Sequence, residues 1–122
     1  MTFEVDLKQH LQTAASLGAL VGSRIWPLVR YNDTKPAITY QIVGTVPQVA
    51  VDGGTGDLDN VRVQIDAWAD TYDAARQVAA AVRTAMASFS TNSVPLIDQD
   101  FYEQEPRIYR VSLDFSCWYR TS

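Results

Sequence analysis

Over residues 106–119 the chain alternates strictly. Tyr109, Val111, Leu113, Phe115, Cys117 and Tyr119 fall on one side, and Ile108, Arg110, Ser112, Asp114, Ser116 and Trp118 on the other. A side-chain period of two belongs to a strand with one face on a core and the other turned outward. Residues 61–69 repeat the arrangement, with Val61, Val63, Ile65, Ala67 and Ala69 opposed to Arg62, Gln64, Asp66 and Trp68. A third alternating run, 37–46, opens after Pro36, a tolerated position for proline. A shorter and more polar strand is expected over 96–104, and Glu105-Pro106 turns the chain into the last one.

Two helices are expected. Phe3, Leu7, Leu11, Ala14 and Ala15 make an apolar stripe over residues 3–17, with Thr2 as a cap and Gly18 as the stop. From Asp70 or Thr71 to about Phe89, Ala75, Val78, Ala79, Val82, Met86 and Phe89 recur at three- and four-residue steps in an alanine-rich segment. Residues 18–35, carrying Gly22, Pro27, Asn32 and Asp33, show no sustained period and read as a surface connection pinned by Ile25, Trp26, Leu28 and Val29.

The order helix-strand-strand-helix-strand-strand, with hairpin-linked strands and one-sided helices, predicts an α+β fold. It is a two-layer sandwich, a four-stranded antiparallel sheet with two helices packed on one face. A right-handed connection through the second helix slots the fourth strand between the second and third, giving the order 1-2-4-3. Arg62, Gln64 and Asp66 then lie beside Arg110, Ser112 and Asp114, where opposite charges pair across strands. His10 is expected to face solvent, and Asp98 and Asp100 to face water from one side of their strand.

At 122 residues the chain fits one domain, 1–122, able to bury roughly two-thirds of its unfolded surface. Hydrophobic residues at 47 % and charged residues at 20 % argue against both disorder and a membrane class. No apolar run approaches a membrane span and no signal peptide opens the chain, which points to a cytoplasmic setting. The single Cys117, on the apolar face of its strand, reads as a small core hydrophobe. The net charge of −4 and the scattered arginines speak against tight nucleic-acid binding.

Chemistry-bearing motifs are sparse. Catalysis would need a nucleophile with a base, and no Ser-His-Asp, Cys-His or paired-carboxylate spacing is present. No cofactor and no metal are expected: the only histidine, His10, has no companion ligand. Residues 46–60 hold Asp52, Gly53, Gly54, Gly56 and Asp57, but the segment lacks both the EF-hand ligand order and a Gly-Lys-Ser/Thr ending. It reads as a long loop between two strands. Trp and Arg are enriched where proteins meet. The outward faces of the 61–69 and 106–119 strands are therefore a candidate interface, comprising Arg62, Gln64, Asp66, Trp68, Ile108, Arg110 and Trp118. The competing reading has the tryptophans covering the sheet within one subunit.

Taken in order, several segments resemble the tail-completion, or tail-terminator, proteins of long-tailed bacteriophages, a family also described as a domain of unknown function in prophages. Ser23-Arg24-Ile25-Trp26-Pro27 is similar to that family's Arg-Ile-aromatic-Pro element, and Pro36-Ala37-Ile38-Thr39-Tyr40 to the opening of its first strand. Val63-Gln64-Ile65-Asp66-Ala67-Trp68-Ala69 with Tyr72 and Val82-Arg83 matches it best, and Tyr109-Arg110-Val111-Ser112-Leu113-Asp114-Phe115 resembles its closing strand. The resemblance implies a structural virion protein assembled in the bacterial host cytoplasm. It implies a ring of identical subunits, usually a hexamer, that caps the head-proximal end of the tail tube, stops its growth and offers a surface for head-tail joining. Its partners would be itself, the major tail tube protein and a head-completion or connector protein. DNA would pass through the channel without being tightly bound, and no membrane is involved. On that reading the 46–60 loop orders on assembly. The alternative function is another head-tail connector, a head-completion or neck protein; a small-molecule-binding or enzyme domain ranks below both.

Overall fold

The computed structural model describes residues 3–30, 35–47, 58–89, 93–103 and 107–120. In chain order these are α1 (Phe3–Thr13), α2 (Ala15–Val21), β1 (Ile25–Pro27), β2 (Ala37–Pro47), β3 (Leu58–Ala69), α3 (Tyr72–Ala87), β4 (Ser93–Glu103) and β5 (Ile108–Arg120). They form a five-stranded sheet in the order β1-β2-β3-β5-β4. β1 runs parallel to β2, and the other pairs are antiparallel.

The expectation of a four-stranded antiparallel sheet with two helices is therefore wrong: the sheet is mixed and five-stranded, with three helices. The first helix is two. A continuous helix would have carried the stripe on, with Leu17 about 40° from Phe3 and Val21 on the same side as Phe3. The chain breaks instead at Ala14 (φ −69°, ψ 119°), and Leu7 and Leu11 from α1 and Leu17 and Val21 from α2 all reach zero exposure. Gly18 lies inside α2, and the stop is Gly22, whose φ of 58° suits a residue without a side chain. The extra strand comes from the segment taken for a connection. Ile25 to Pro27 pair with Ile38 to Tyr40, anchored where Ile38 N–H donates to Arg24 C=O at 2.9 Å and Arg24 Nε donates to Pro36 C=O at 2.8 Å.

For the four strands read from the sequence, the predicted order 1-2-4-3 is the order β2-β3-β5-β4 that is found. All the buried apolar side chains of α1, α2 and α3 join Val61, Val63, Ile65, Ala67, Val111, Leu113, Phe115 and Cys117 in one core. The helices thus cover one face of the sheet. Thr71 caps α3 by accepting from Ala74 N–H at 3.2 Å. His10 does not simply face solvent. Half-buried, it donates from Nε2 to Ala85 C=O at 2.6 Å and lies 5.1 Å from the Phe89 ring, adding a donor from α1 to those that the cap residue Ser88 gives the same carbonyl.

Candidate functional site

The face opposite the helices is lined by the outward positions of β2, β3, β5 and β4. Its register sets Thr39, Asp66, Ser112 and Gln99 in one row across the strands. Thr39, Asp66 and Ser112 are 3, 8 and 7 % exposed although no helix covers them. Neighbouring side chains close over them. Asp66 accepts from Gln64 Nε2 at 3.1 and 3.3 Å and pairs with Arg110 Nη1 at 3.3 Å, which satisfies a carboxylate that burial would otherwise penalise. Arg62 pairs with Asp114 at 2.8 Å, and Asn60 Nδ2 donates to Ser116 Oγ at 2.8 Å. The expected cross-strand pairing of opposite charges is therefore present.

The next row holds Ala37, Trp68, Arg110 and Phe101. Here cations and rings alternate: the Arg30 guanidinium lies 4.9 Å and that of Arg110 5.2 Å from the Trp68 ring, and Arg110 is also 4.4 Å from the Phe101 ring. Trp68 Nε1 donates to Thr39 Oγ1 at 2.9 Å. Arg30 Nη1 and Arg110 Nε are buried without a hydrogen-bond partner among the described residues. The indole is thus engaged within its own subunit, and Trp118 near the far end of β5 is only partly buried.

Of the candidate residues, Gln64, Asp66, Trp68 and Arg110 share this face and form one connected network, while Arg62 on the same face pairs separately with Asp114. Trp118 lies on the same face, opposite Asn60 of β3. Ile108 differs: it has zero exposure and offers nothing to a neighbour. Its outward parity in the sequence hides this, because only the folded chain closes over the start of β5. Asp52, Gly53, Gly54, Gly56 and Asp57 lie outside the described residues.

A second polar cluster sits on the helix side at the β4 edge. Asp98 and Asp100 do not look only to water. Arg76 pairs with Asp100 at 3.1 Å and with Asp98 at 3.5 Å, Arg83 pairs with Asp98 at 3.4 Å, and Tyr72 O–H donates to Asp100 at 2.8 Å. That last bond holds the Tyr72 phenol above its ordinary pKa of 10.0. The signal was available in Arg76 and Arg83, seven residues apart and so on one side of α3.

Chemically the molecule offers surfaces. Among the described residues no group of three or more His, Cys, Asp or Glu could hold a metal ion, and Cys117 is buried. A groove of about 310 Å³ lies beside β1 and β2, lined by Glu4, Pro27, Leu28, Tyr40, Gln41 and Ile42. Among the described residues, no helix is long and apolar enough to cross a membrane.

No curated protein matches the sequence. Among solved structures, a chain from the "Virion of native gene transfer agent (GTA) particle" is similar, with a TM-score of 0.73 at 20 % identity, covering 95 % of this chain and 92 % of that one. At that identity the likeness speaks for the fold. The sequence profile of the family described as "Tail completion protein gp17" matches residues 5–120, nearly the whole chain and every element of the sheet, so this chain belongs to the tail completion protein gp17 family and is a structural protein of a phage tail.

Proposed function

We propose that residues 1–122 form one tail-terminator-like domain whose copies close into a ring, a hexamer in the assembled tail. The ring sits on the head-proximal end of the tail tube, ends its growth and presents a surface for joining to the head. One observation carries this reading beyond family membership: the helices cover one side of the sheet, and the other side keeps a charged and aromatic surface. There Arg62 is half-exposed, and Gln64, Trp68, Arg110 and Trp118 are only partly buried. Arg and Trp at such a surface are the residue types that anchor protein contacts.

A ring needs two different complementary patches on each subunit, since its contacts are head-to-tail. The opened face, with Arg62, Gln64, Asp66, Trp68, Arg110 and Trp118, is one, and the segment between β2 and β3 that carries Asp52, Gly53, Gly54, Gly56 and Asp57 is the other. The major tail tube protein lies below and a head-completion or connector protein above. A subunit of net charge −4 suits a channel through which DNA passes without sticking. The reading calls for no cofactor and no catalysis, and assembly takes place in the bacterial host cytoplasm.

Mixing the purified protein with tail tubes and imaging them by electron microscopy tests it. Density capping one end of each tube is expected. Decoration along the tube wall, or none in the presence of intact tubes, would overturn it, and binding to an isolated head connector alone would point to a neck protein.

A further inference from the structure

We infer that neighbouring copies lock together edge to edge through side chains: Leu96, on the bulge of β4 in one subunit, seats in the groove beside β1 and β2 of the next, and Arg83 next to it meets Glu4 at the groove's rim. The inference rests on the ring reading above and adds to its patches a complementary pair at the two ends of the sheet.

The two surfaces lie at opposite edges and at one level. With the strands ordered β1-β2-β3-β5-β4, the groove borders the first edge and β4 forms the last. Across the ladders Tyr40 stands opposite Ile65, Ile65 opposite Leu113, and Leu113 opposite Asp98. Ile42 leads in the same way through Val63 and Phe115 to Pro95. The groove residues Tyr40 to Ile42 and the segment Pro95 to Asp98 therefore occupy the same rows. Copies turned about an axis along the strands bring these rows together without a shift in height. Unlike edges meeting head-to-tail repeat from copy to copy, as a closed ring requires.

Shape and charge agree. The groove is lined by the apolar side chains of Pro27, Leu28, Tyr40 and Ile42. Leu28 forms its lip: its N–H donates to Tyr40 C=O at 2.9 Å, and at a φ of 64°, uncommon for a residue with a side chain, it is 65 % exposed. At the other edge the β4-β5 ladder slips between Pro95 and Ile97, so Leu96 is the extra residue of a bulge. A bulge next to a proline, which has no N–H, blunts an edge against strand addition. Its side chains still stand out, with Leu96 and Ile97 47 and 48 % exposed. Glu4 at the groove is exposed and in no ion pair among the described residues. Burial, and then the Glu4 carboxylate, hold the Tyr40 phenol above its ordinary 10.0, so negative charge lies at the groove. Arg83 lines one hollow with Pro95, Leu96 and Ile97 and is half-exposed. It engages only Nη1, at 3.4 Å, with an Asp98 that Arg76 also holds, which leaves the rest of its fork for a second carboxylate. Glu4 belongs to α1 and Arg83 to α3, so both charges stand on the helix side of the sheet.

The test is the protein concentration at which half of a set of tail tubes carry a cap in electron micrographs, with circular dichroism of each variant to confirm folding. Glu4→Arg and Arg83→Glu should each raise that concentration by about tenfold or more, since each sets like charges against one another across the contact. The double variant, with the charges exchanged, should return to within about threefold of the unchanged protein. Leu96→Asp, at an exposed position, should melt as the unchanged protein does and still weaken capping by about tenfold or more. Folded variants that cap as well as the unchanged protein, or a double variant no better than the single ones, would overturn edge docking and leave the ring standing. Absence of caps on intact tubes with the unchanged protein would overturn both.

Discussion

The Trp68 indole should be worth several kilocalories to the isolated subunit, and two substitutions separate its parts. Trp68→Phe keeps an aromatic face between the guanidinia of Arg30 and Arg110 but removes the N–H that reaches Thr39 Oγ1 at 2.9 Å. Thr39 is 3 % exposed, so its hydroxyl is left inside with one partner fewer, at a cost of about 1–2 kcal/mol. Trp68→Ala also removes two cation–π contacts, about 0.5–1 kcal/mol each at partly exposed sites, and uncovers part of the face around Asp66. The total is about 2–4 kcal/mol, within the range of mutations that break a buried network. For a chain of this size 1 kcal/mol moves Tm by about 4 °C, so the alanine variant should melt about 8–16 °C lower. Urea and thermal unfolding followed by far-UV circular dichroism give the two values, and the double cycle with Thr39→Val should return a coupling of about 1 kcal/mol. A loss below about 0.5 kcal/mol for Trp68→Ala would refute the reasoning: the indole would then owe its position to a partner and not to its own subunit.

Three further outcomes are expected. His10→Ala should cost less than about 1 kcal/mol in urea unfolding, because the Ala85 carbonyl still accepts from Ser88 N–H at 3.2 Å and Ser88 Oγ at 3.0 Å while Phe89 loses one ring contact; a loss above about 2 kcal/mol would mean that the His10 bond alone holds the end of α3. The Tyr72 phenol, stabilised in its protonated form by donating to Asp100, should ionise above 10.0 in an absorbance titration, and Tyr72→Phe should remove that late component. Because the folded pKa is raised, the linked stability is complete below pH 10 and is lost as the pH climbs through the folded value. Asp98→Asn should change stability by about 1 kcal/mol or less, with the difference shrinking as salt is added, since its pairs with Arg76 and Arg83 are partly exposed.

The parts of the fold legible in the sequence are those with one face in water and one in the core. β3 and β5 announce themselves through strict alternation, and their charges even foretell the Arg62–Asp114 and Arg110–Asp66 pairs, because cross-strand neighbours on an outward face are fixed by register. β1 is illegible for the opposite reason. Three residues carry no period, and their parallel partner lies across a crossover that local pattern cannot specify. The break at Ala14 has no mark in the apolar pattern, because on a straight helix Leu17 and Val21 would lie about 40° and 0° from Phe3, within the Phe3-Leu7-Leu11 stripe. Of the site, composition and parity marked the face but not its depth: Ile108 is outward by parity and wholly buried in fact, and Trp68 is tied down at both its ring and its N–H. Asp98 and Asp100 were misplaced because an alternating edge strand does not reveal which of its sides the helix α3 will cover.

The central claim concerns where tube growth stops. Preformed tail tubes, supplied with fresh tube protein in the presence and absence of this chain, should elongate freely without it and cease to elongate at the capped end with it, as read from tube lengths in electron micrographs. Tubes that lengthen equally in both samples, with the protein bound at their tips, would contradict the account.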